Sequence, residues 1–395
     1  MTERRLRVLA VLSHVVQYAV PVFRQLALNP EIDFHVAYCG LQGAEAAHDP
    51  EFGTVVKWDV PLLDGYAWTH VPNKGSGSES FFGLLNPGLW RLIRLGKYDA
   101  VLCYTGYRRA SFWIAYFAAK LSVAKFLFGT DATTIFPRDG RPWKARVKKI
   151  LWPRLFRIAD QVIVPSTPAR DLMFSLKLAA ARVSVIPCAV DNDWWMKQSA
   201  AVDRDAVRAQ WGALPDDPVI LFCGKLQPWK RPLDLLQAFA QAGFPNGLLV
   251  IAGDGALRSQ LQAEALALGI ASRVRFLGFV NQSHLPAIYT AADVMVLPSE
   301  YEAFAVVVNE AMCCGCPVIA SDCVGAARDL IVPVSPELVY RRGDVAALAA
   351  TLRKIFEEGG NRNSLGAAAR THMKSWSPAQ NVIATVEAVR SSMRS

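Results

Sequence analysis

VMVLPSEYEAFAVVVNEAMCCGCPVIASD, residues 294–322, holds the pattern that decides the fold. Val294–Leu297 is an apolar run of strand length, and Pro317–Ala320 is a second. Between them a polar loop leads into a helical stretch, Ala305–Cys313. Two parallel strands cannot be joined by a tight hairpin and need a crossover of this kind, so the segment predicts one βαβ unit. Outward from it the alternation repeats. Val219–Cys223, Leu248–Ala252 and Val274–Leu277 read as further buried strands, separated by helical segments such as Pro232–Gly243 and Ala256–Leu268. In the first half, Arg7–Leu12, Phe34–Tyr38, Ala100–Tyr104, Lys125–Phe128 and Gln161–Val164 read the same way. Alternation in both halves predicts an α/β protein with two Rossmann-like, doubly wound parallel-sheet domains.

The chain has 395 residues, too many for one compact core. The expected division is 1–192, 193–376 and a tail, 377–395, which reads as one more helix packing back on the first domain. The join falls near Ile186–Gln198, and Leu214-Pro-Asp-Asp-Pro218 announces the first strand of the second domain. Charge divides unevenly: residues 1–190 carry 24 Lys and Arg against 14 Asp and Glu, the remainder 19 against 20. The basic half therefore faces an anionic partner. Val8–Leu12 is too short for the core of a secretory signal, and Lys120 and Lys125 break the longest apolar stretch, Ala110–Phe128. A cytoplasmic protein is expected, peripheral on a membrane at most, with its 8 cysteines reduced.

Ligands of open parallel sheets bind beyond the carboxyl ends of the strands, and two such domains facing each other would form a cleft. Two stretches at strand ends carry chemistry. After Val294–Leu297, Glu302 lies in the loop and Glu310 inside the helix that Ala303-Phe304-Ala305 opens. Backbone N–H groups at a helix start face an anion, and carboxylates accept from hydroxyls. After Val219–Cys223 comes Gly224-Lys-Leu-Gln-Pro-Trp-Lys230: a glycine for close backbone approach and two lysines for a diphosphate. A nucleotide sugar presents this mixture of phosphate and hydroxyls. Two isolated glutamates, or a lone lysine pair, would be an ordinary solvated surface.

With these residues in place the chain resembles family 4 of the retaining glycosyltransferases, which have the GT-B fold. Gly224, Lys225 and Lys230 match that family's glycine and cations, Ala252–Arg258 (AGDGALR) and Arg273–Val280 (RVRFLGFV) match further motifs, and Glu302 and Glu310 match its paired glutamates. The resemblance implies that Lys225 and Lys230 neutralise the donor diphosphate, Glu302 holds hydroxyls of the transferred sugar and Glu310 those of the ribose. The backbone of Phe304-Ala305-Val306 would contact phosphate and sugar, and Gly278–Val280 would border the base. Ser13-His14-Val-Val-Gln17-Tyr18 and Gly129-Thr-Asp131 resemble a narrower group within the family. They make His14, Gln17 and Tyr18 acceptor-side candidates and Asp131 a catalytic candidate. Many relatives have glycine where Ala305 stands and arginine where Lys225 stands. The implied reaction moves a hexose, with retention, from a UDP- or GDP-sugar to a glycan or lipid-linked acceptor in cell-surface polysaccharide or glycolipid synthesis.

No cofactor or metal is expected. Asp191-Asn-Asp193 has the DxD spacing of metal-binding transferases, but Asp and Asn are ordinary turn residues. Cys313-Cys-Gly-Cys316 contains CxxC without a second pair, and reads as packed small residues. Arg138–Arg157 interleaves Trp143 and Trp152 with cations, which suits an anionic membrane surface. Pro142 and Pro153 are expected to keep that helix short. Nucleic acid is not an expected partner, although the same stretch offers cations and stacking aromatics. The rival readings are a GT-B-like sugar-nucleotide epimerase and a non-catalytic nucleotide-sugar or nucleic-acid binding module.

Overall fold

The structure is a computed structural model that describes residues 4–49, 51–137, 140–357 and 362–394. In chain order its strands are β1 (Leu6–Leu12), β2 (Ile32–Tyr38), β3 (Ala47–Asp49), β4 (Thr54–Val56), β5 (Ala67–His70), β6 (Ala100–Cys103), β7 (Lys125–Gly129), β8 (Gln161–Val164) and β9 (Val183–Val185). There follow β10 (Val219–Cys223), β11 (Leu248–Ala252), β12 (Val274–Gly278), β13 (Val294–Leu297), β14 (Val318–Ser321) and β15 (Val339–Tyr340).

These form two compact units. One comprises residues 1–47, 61–189 and 378–395, the other 48–60 and 190–377. A single cut near 192 therefore omits one feature: residues 48–60 cluster with the second unit. The C-terminal helix Pro378–Arg394 clusters with the first, where Asn381 Nδ2 donates to the Pro187 carbonyl at 2.7 Å and Arg390 pairs with Glu31.

The first unit's sheet has the order β5-β2-β1-β6-β7-β8-β9, and the second's β12-β11-β10-β13-β14-β15; every pairing is parallel. β6, β8, β10, β11, β13 and β14 are buried at every residue, because a doubly wound sheet is covered on both faces. In each sheet the strand order reverses once. In the first unit the reversal lies between β1 and β6; in the second it lies between β10 and β13. The carboxyl end of such a switch point is a crevice, because the loops leaving its two strands run in opposite directions.

A buried ion pair aligns the strands at the second switch point. Asp293, immediately before β13, accepts from the Val219 backbone N–H at the start of β10 at 2.8 Å. Its other partners are the Arg204 and Arg208 guanidiniums, at 2.6 and 2.7 Å. Arg208 is fully buried and also donates to the carbonyls of Ala291, Pro215 and Asp217. With so many donors satisfied, the charge can be held inside.

Candidate donor site in the second unit

Lys225 leaves the end of β10 behind Gly224, whose φ of 152° lies in the range that favours glycine. The next loop, Gly253-Asp-Gly255 after β11, packs so closely that a Cβ on Gly253 would stand 1.9 Å from the Gly224 carbonyl oxygen. The AGDG motif is therefore a backbone-packing device beside Lys225. The Lys225 ammonium is held by Asp49 Oδ2 at 2.9 Å and Glu51 Oε2 at 2.7 Å, and lies 4.9 Å from the centre of the Phe52 ring. Against the opposing effect of burial, Lys225 and the backbone N–H groups of Phe52 and Glu51 hold the Asp49 carboxyl below its usual range.

Lys230 ends the helical turn Pro228–Lys230 and pairs with Glu302, which comes from the loop after β13. The Glu300 N–H donates to the Trp229 carbonyl at 2.7 Å and ties the two loops together. Lys230 and Glu302 thus converge from opposite sides of the switch point, although 72 positions separate them in the chain. The Glu302 carbonyl accepts from the Gly325 N–H at 3.1 Å, and the Phe304 carbonyl from the Ala326 N–H at 2.8 Å, fixing the loop that ends in Ala305.

Ala305 caps the helix Val306–Cys313 with φ 83° and ψ 76°, a left-handed conformation in a residue with a Cβ. The conformation needed at this helix start is therefore the one glycine would adopt without strain, and alanine adopts it at a cost. Phe304 is buried and stacks on Trp376 at 6.2 Å.

Glu310 lies inside that helix with 6% of its surface exposed. Burial raises its carboxyl to about 7, opposed by a hydrogen bond from the Tyr289 hydroxyl at 2.9 Å. The Tyr289 hydroxyl also lies 3.3 Å from Cys223 Sγ. Sequence reasoning missed Tyr289, since a tyrosine in the apolar helix Leu285–Ala291 reads as core. Val280, the base-side candidate, is half-buried just beyond Gly278. The neighbouring Phe279 ring lies 5.0 Å from Phe52 and 6.0 Å from Trp58.

In the first unit, the candidates follow β1 and β7. His14 is exposed and its Nδ1 is bonded to Ser13 Oγ at 2.8 Å; Gln17 is half-buried. Tyr18 has its hydroxyl pushed far up by burial and then by Cys188, Asp131 and Tyr104. Tyr18 and Asp131 therefore share one electrostatic neighbourhood, with Tyr104 after β6 and Cys188 as members that the sequence did not single out.

Asp191 caps the helix Asn192–Ala200 by accepting from the Trp194 N–H at 3.1 Å, while Asp193 is exposed on its first turn. Cys313, Cys314 and Cys316 are buried free thiols, and burial raises all three. Among the described residues no group of three His, Cys, Asp or Glu side chains could hold a metal ion.

The basic stretch corrects one expectation. Pro153 does not break it: Pro142–Phe156 is a single helix, with Pro142 in its first turn and Pro153 near its end. Residues 138 and 139 lie outside the described residues. A proline so close to the C-terminus removes one hydrogen bond and leaves few residues beyond it to realign. Trp152 is buried, and its indole N–H donates to the Tyr107 hydroxyl at 2.9 Å, so it has no face for a membrane. Trp143, Val147, Ile150 and Leu151 are exposed.

Two doubly wound parallel sheets, each with polar side chains gathered at its switch point, define the GT-B class of protein. The chain belongs to the family 4 glycosyltransferases: the family described as Glycosyltransferase Family 4 matches residues 31–194, and that described as Glycosyl transferases group 1 matches 203–372. It is 32% identical over 209 residues to the 2-deoxystreptamine glucosyltransferase of Streptomyces kanamyceticus, covering 52% of this chain and 53% of that one. It is 34% identical over 250 residues to the D-inositol 3-phosphate glycosyltransferase of Geodermatophilus obscurus, covering 58% and 52%. The chain thus spans about half the length of these curated relatives. Its fold is that of the Anabaena protein HepE, solved with UDP and glucose, at a TM-score of 0.73 and 18% identity over 98% of this chain and 100% of that one.

Proposed function

We propose that the protein is a retaining, metal-independent glycosyltransferase that moves a hexose from a UDP- or GDP-sugar to a glycan or lipid-linked acceptor. The observation that carries this reading is the convergence of Lys225, Lys230 and Glu302 at the carboxyl ends of β10 and β13, with buried Glu310 on the helix that follows. In the proposed reaction the bond from the anomeric carbon to the diphosphate breaks, leaving the carbon electron-poor and the diphosphate more negative; an acceptor hydroxyl oxygen forms the new bond to that carbon and its proton passes to the departing diphosphate. Lys225 and Lys230 stabilise the leaving charge, which is the role a metal plays in other transferases. Glu302 orients sugar hydroxyls and Glu310 accepts from the ribose. The Tyr18–Asp131 neighbourhood is assigned to the acceptor.

The membrane part of the proposal rests on the helix Pro142–Phe156. Exposed Trp143, Val147, Ile150 and Leu151 alternate along it with exposed Arg146 and Lys149 and half-buried Lys144 and Lys148, the composition of an interfacial helix. Among the described residues no helix is long and apolar enough to cross a membrane. Contact at the cytoplasmic face would bring the enzyme to a lipid-linked acceptor.

The test is a thermal-shift screen against UDP- and GDP-sugars in EDTA, followed by product analysis with glycan, lipid-linked, 2-deoxystreptamine and D-inositol 3-phosphate acceptors. A ligand bound only by the native state raises the melting temperature. One nucleotide sugar raising it in EDTA, then yielding product with retained configuration, is the expected result. A shift that appears only with Mg²⁺ or Mn²⁺ contradicts metal independence, and no shift with any donor contradicts the reading as a whole.

A further inference from the structure

We propose that the described residues 48–49 and 51–60 are a built-in competitor for the donor. In this arrangement Asp49 and Glu51 occupy Lys225 where a diphosphate would sit, and Phe52 lies against Phe279 where the base would be bordered. The proposal rests on the donor-site reading above. One ammonium faces two carboxylates, at 2.9 and 2.7 Å, so the local charge is already overcompensated. A diphosphate arriving at Lys225 would bring more negative charge within a few ångströms of both. Like charges at 4 Å repel by about 1 kcal/mol even in bulk water, and more beside a protein surface. The carboxylates and the diphosphate therefore exclude one another from Lys225.

The rest of the segment is attached in a way that permits exchange. Gly53 turns the chain at φ 69°, and a Cβ placed there would meet nothing within 4 Å. Beyond the turn, β4 pairs with β3, Asn281 Nδ2 donates to the Lys57 carbonyl at 2.8 Å and the Ser283 N–H donates to Asp59 at 3.1 Å, so the backbone stays tethered while the Asp49 and Glu51 side chains exchange for the diphosphate. At the acidic end, Gln227 Nε2 donates to the Glu51 carbonyl at 2.7 Å, and the Glu51 carbonyl lies 3.0 Å from the Cβ position of Gly255. The ion pairs themselves are within reach of water: the Lys225, Asp49 and Glu51 side chains are 27%, 28% and 44% exposed. Pairs so placed are individually weak and exchange readily. The aromatic arm extends the competition, because Phe52 contacts both the Lys225 ammonium and Phe279 and so spans the subsites of the diphosphate and the base.

The test is calorimetric titration of the full chain with UDP, GDP and inorganic pyrophosphate, comparing wild type with Asp49→Asn/Glu51→Gln and with Phe52→Ala. The asparagine keeps the acceptor for the Glu51 and Phe52 N–H groups, so the turn survives. The double variant is expected to bind the preferred nucleoside diphosphate about tenfold more tightly, equivalent to about 1.4 kcal/mol. Pyrophosphate should gain as well, whereas Phe52→Ala should favour the nucleotide over pyrophosphate. If the double variant fails to fold, Glu51→Gln alone should still give a gain of about threefold. Equal or weaker nucleotide binding in the acidic variants overturns the competitor role and leaves the donor site standing, as does weaker nucleotide binding by Phe52→Ala. Absence of nucleotide binding in every protein, wild type included, overturns the donor site and the competitor with it.

Discussion

Glu310 carries its charge in a place that resists charge. In the unfolded chain it titrates near 4.5, and in the folded protein burial moves this to about 7. Between those values the folded state holds a proton that the unfolded state has lost, so stability falls as pH rises through the window. The fall attributable to this carboxyl is about 3 kcal/mol. Glu310→Gln should therefore be more stable than wild type at pH 8 and lose that advantage near pH 4.5; urea unfolding that stays parallel in the two proteins across this range contradicts the account. Tyr289→Phe removes the hydrogen bond that opposes the shift, so Glu310 should titrate higher still. Because the ionised carboxylate accepts best from ribose hydroxyls, nucleotide affinity should rise as pH passes the Glu310 value, and the midpoint of that rise should move up in Tyr289→Phe. A midpoint unmoved by the substitution denies Tyr289 its positioning role. Ala305 offers a simpler check. Its left-handed conformation costs about 1–2 kcal/mol, so Ala305→Gly should raise the unfolding midpoint in urea by a comparable stabilisation. At this scale the glutamate pair and the lysines were named from their local spacing together with the family resemblance; Tyr289 was not, because a single hydroxyl in an apolar helix reads as core.

At the level of elements, strands covered on both faces are continuous apolar runs, and these were legible to within a residue or two: β8, β10, β11 and β13 fall where the sequence places them. The strands β5, β9 and β15 were not. They are short edge strands without a fully buried run, so no apolar run marks them. Alignment of β10 with β13 depends on Asp293, whose carboxylate joins both strands to buried Arg208. Asp293→Ala should cost about 3–5 kcal/mol by leaving that guanidinium without its counter-ion, which equilibrium unfolding would measure. The basic helix divides its two tryptophans by role. Trp152→Ala should destabilise by about 3–5 kcal/mol through the cavity it leaves, without reducing the affinity of folded protein for anionic vesicles. Replacing Trp143 together with Lys144, Arg146, Lys148 and Lys149 should leave stability nearly unchanged and abolish cosedimentation at low salt. Cosedimentation of that variant at wild-type levels across a salt series would make this face an ordinary solvated surface.

Over the whole molecule, composition and alternation pointed to two parallel-sheet units and to a terminal helix on the first, but gave no sign that residues 48–60 cluster with the second. Residues 48–60 join the second unit through contacts between residues far apart in the chain: Asp49 and Lys225 are separated by 176 positions. No local period can signal such a pairing. It bears on function, because it places two carboxylates on a lysine assigned to the diphosphate. The central claim is that the switch point between β10 and β13 binds a nucleotide-sugar donor through Lys225, Lys230, Glu302 and Glu310. It is tested most directly by calorimetric titration of wild type and Glu310→Gln with UDP- and GDP-sugars at pH 8, where the wild-type carboxylate is ionised. The account predicts that wild type binds one of these donors and that the folded variant binds it at least tenfold more weakly. Equal affinity in a folded Glu310→Gln, or no donor bound by wild type, would contradict it.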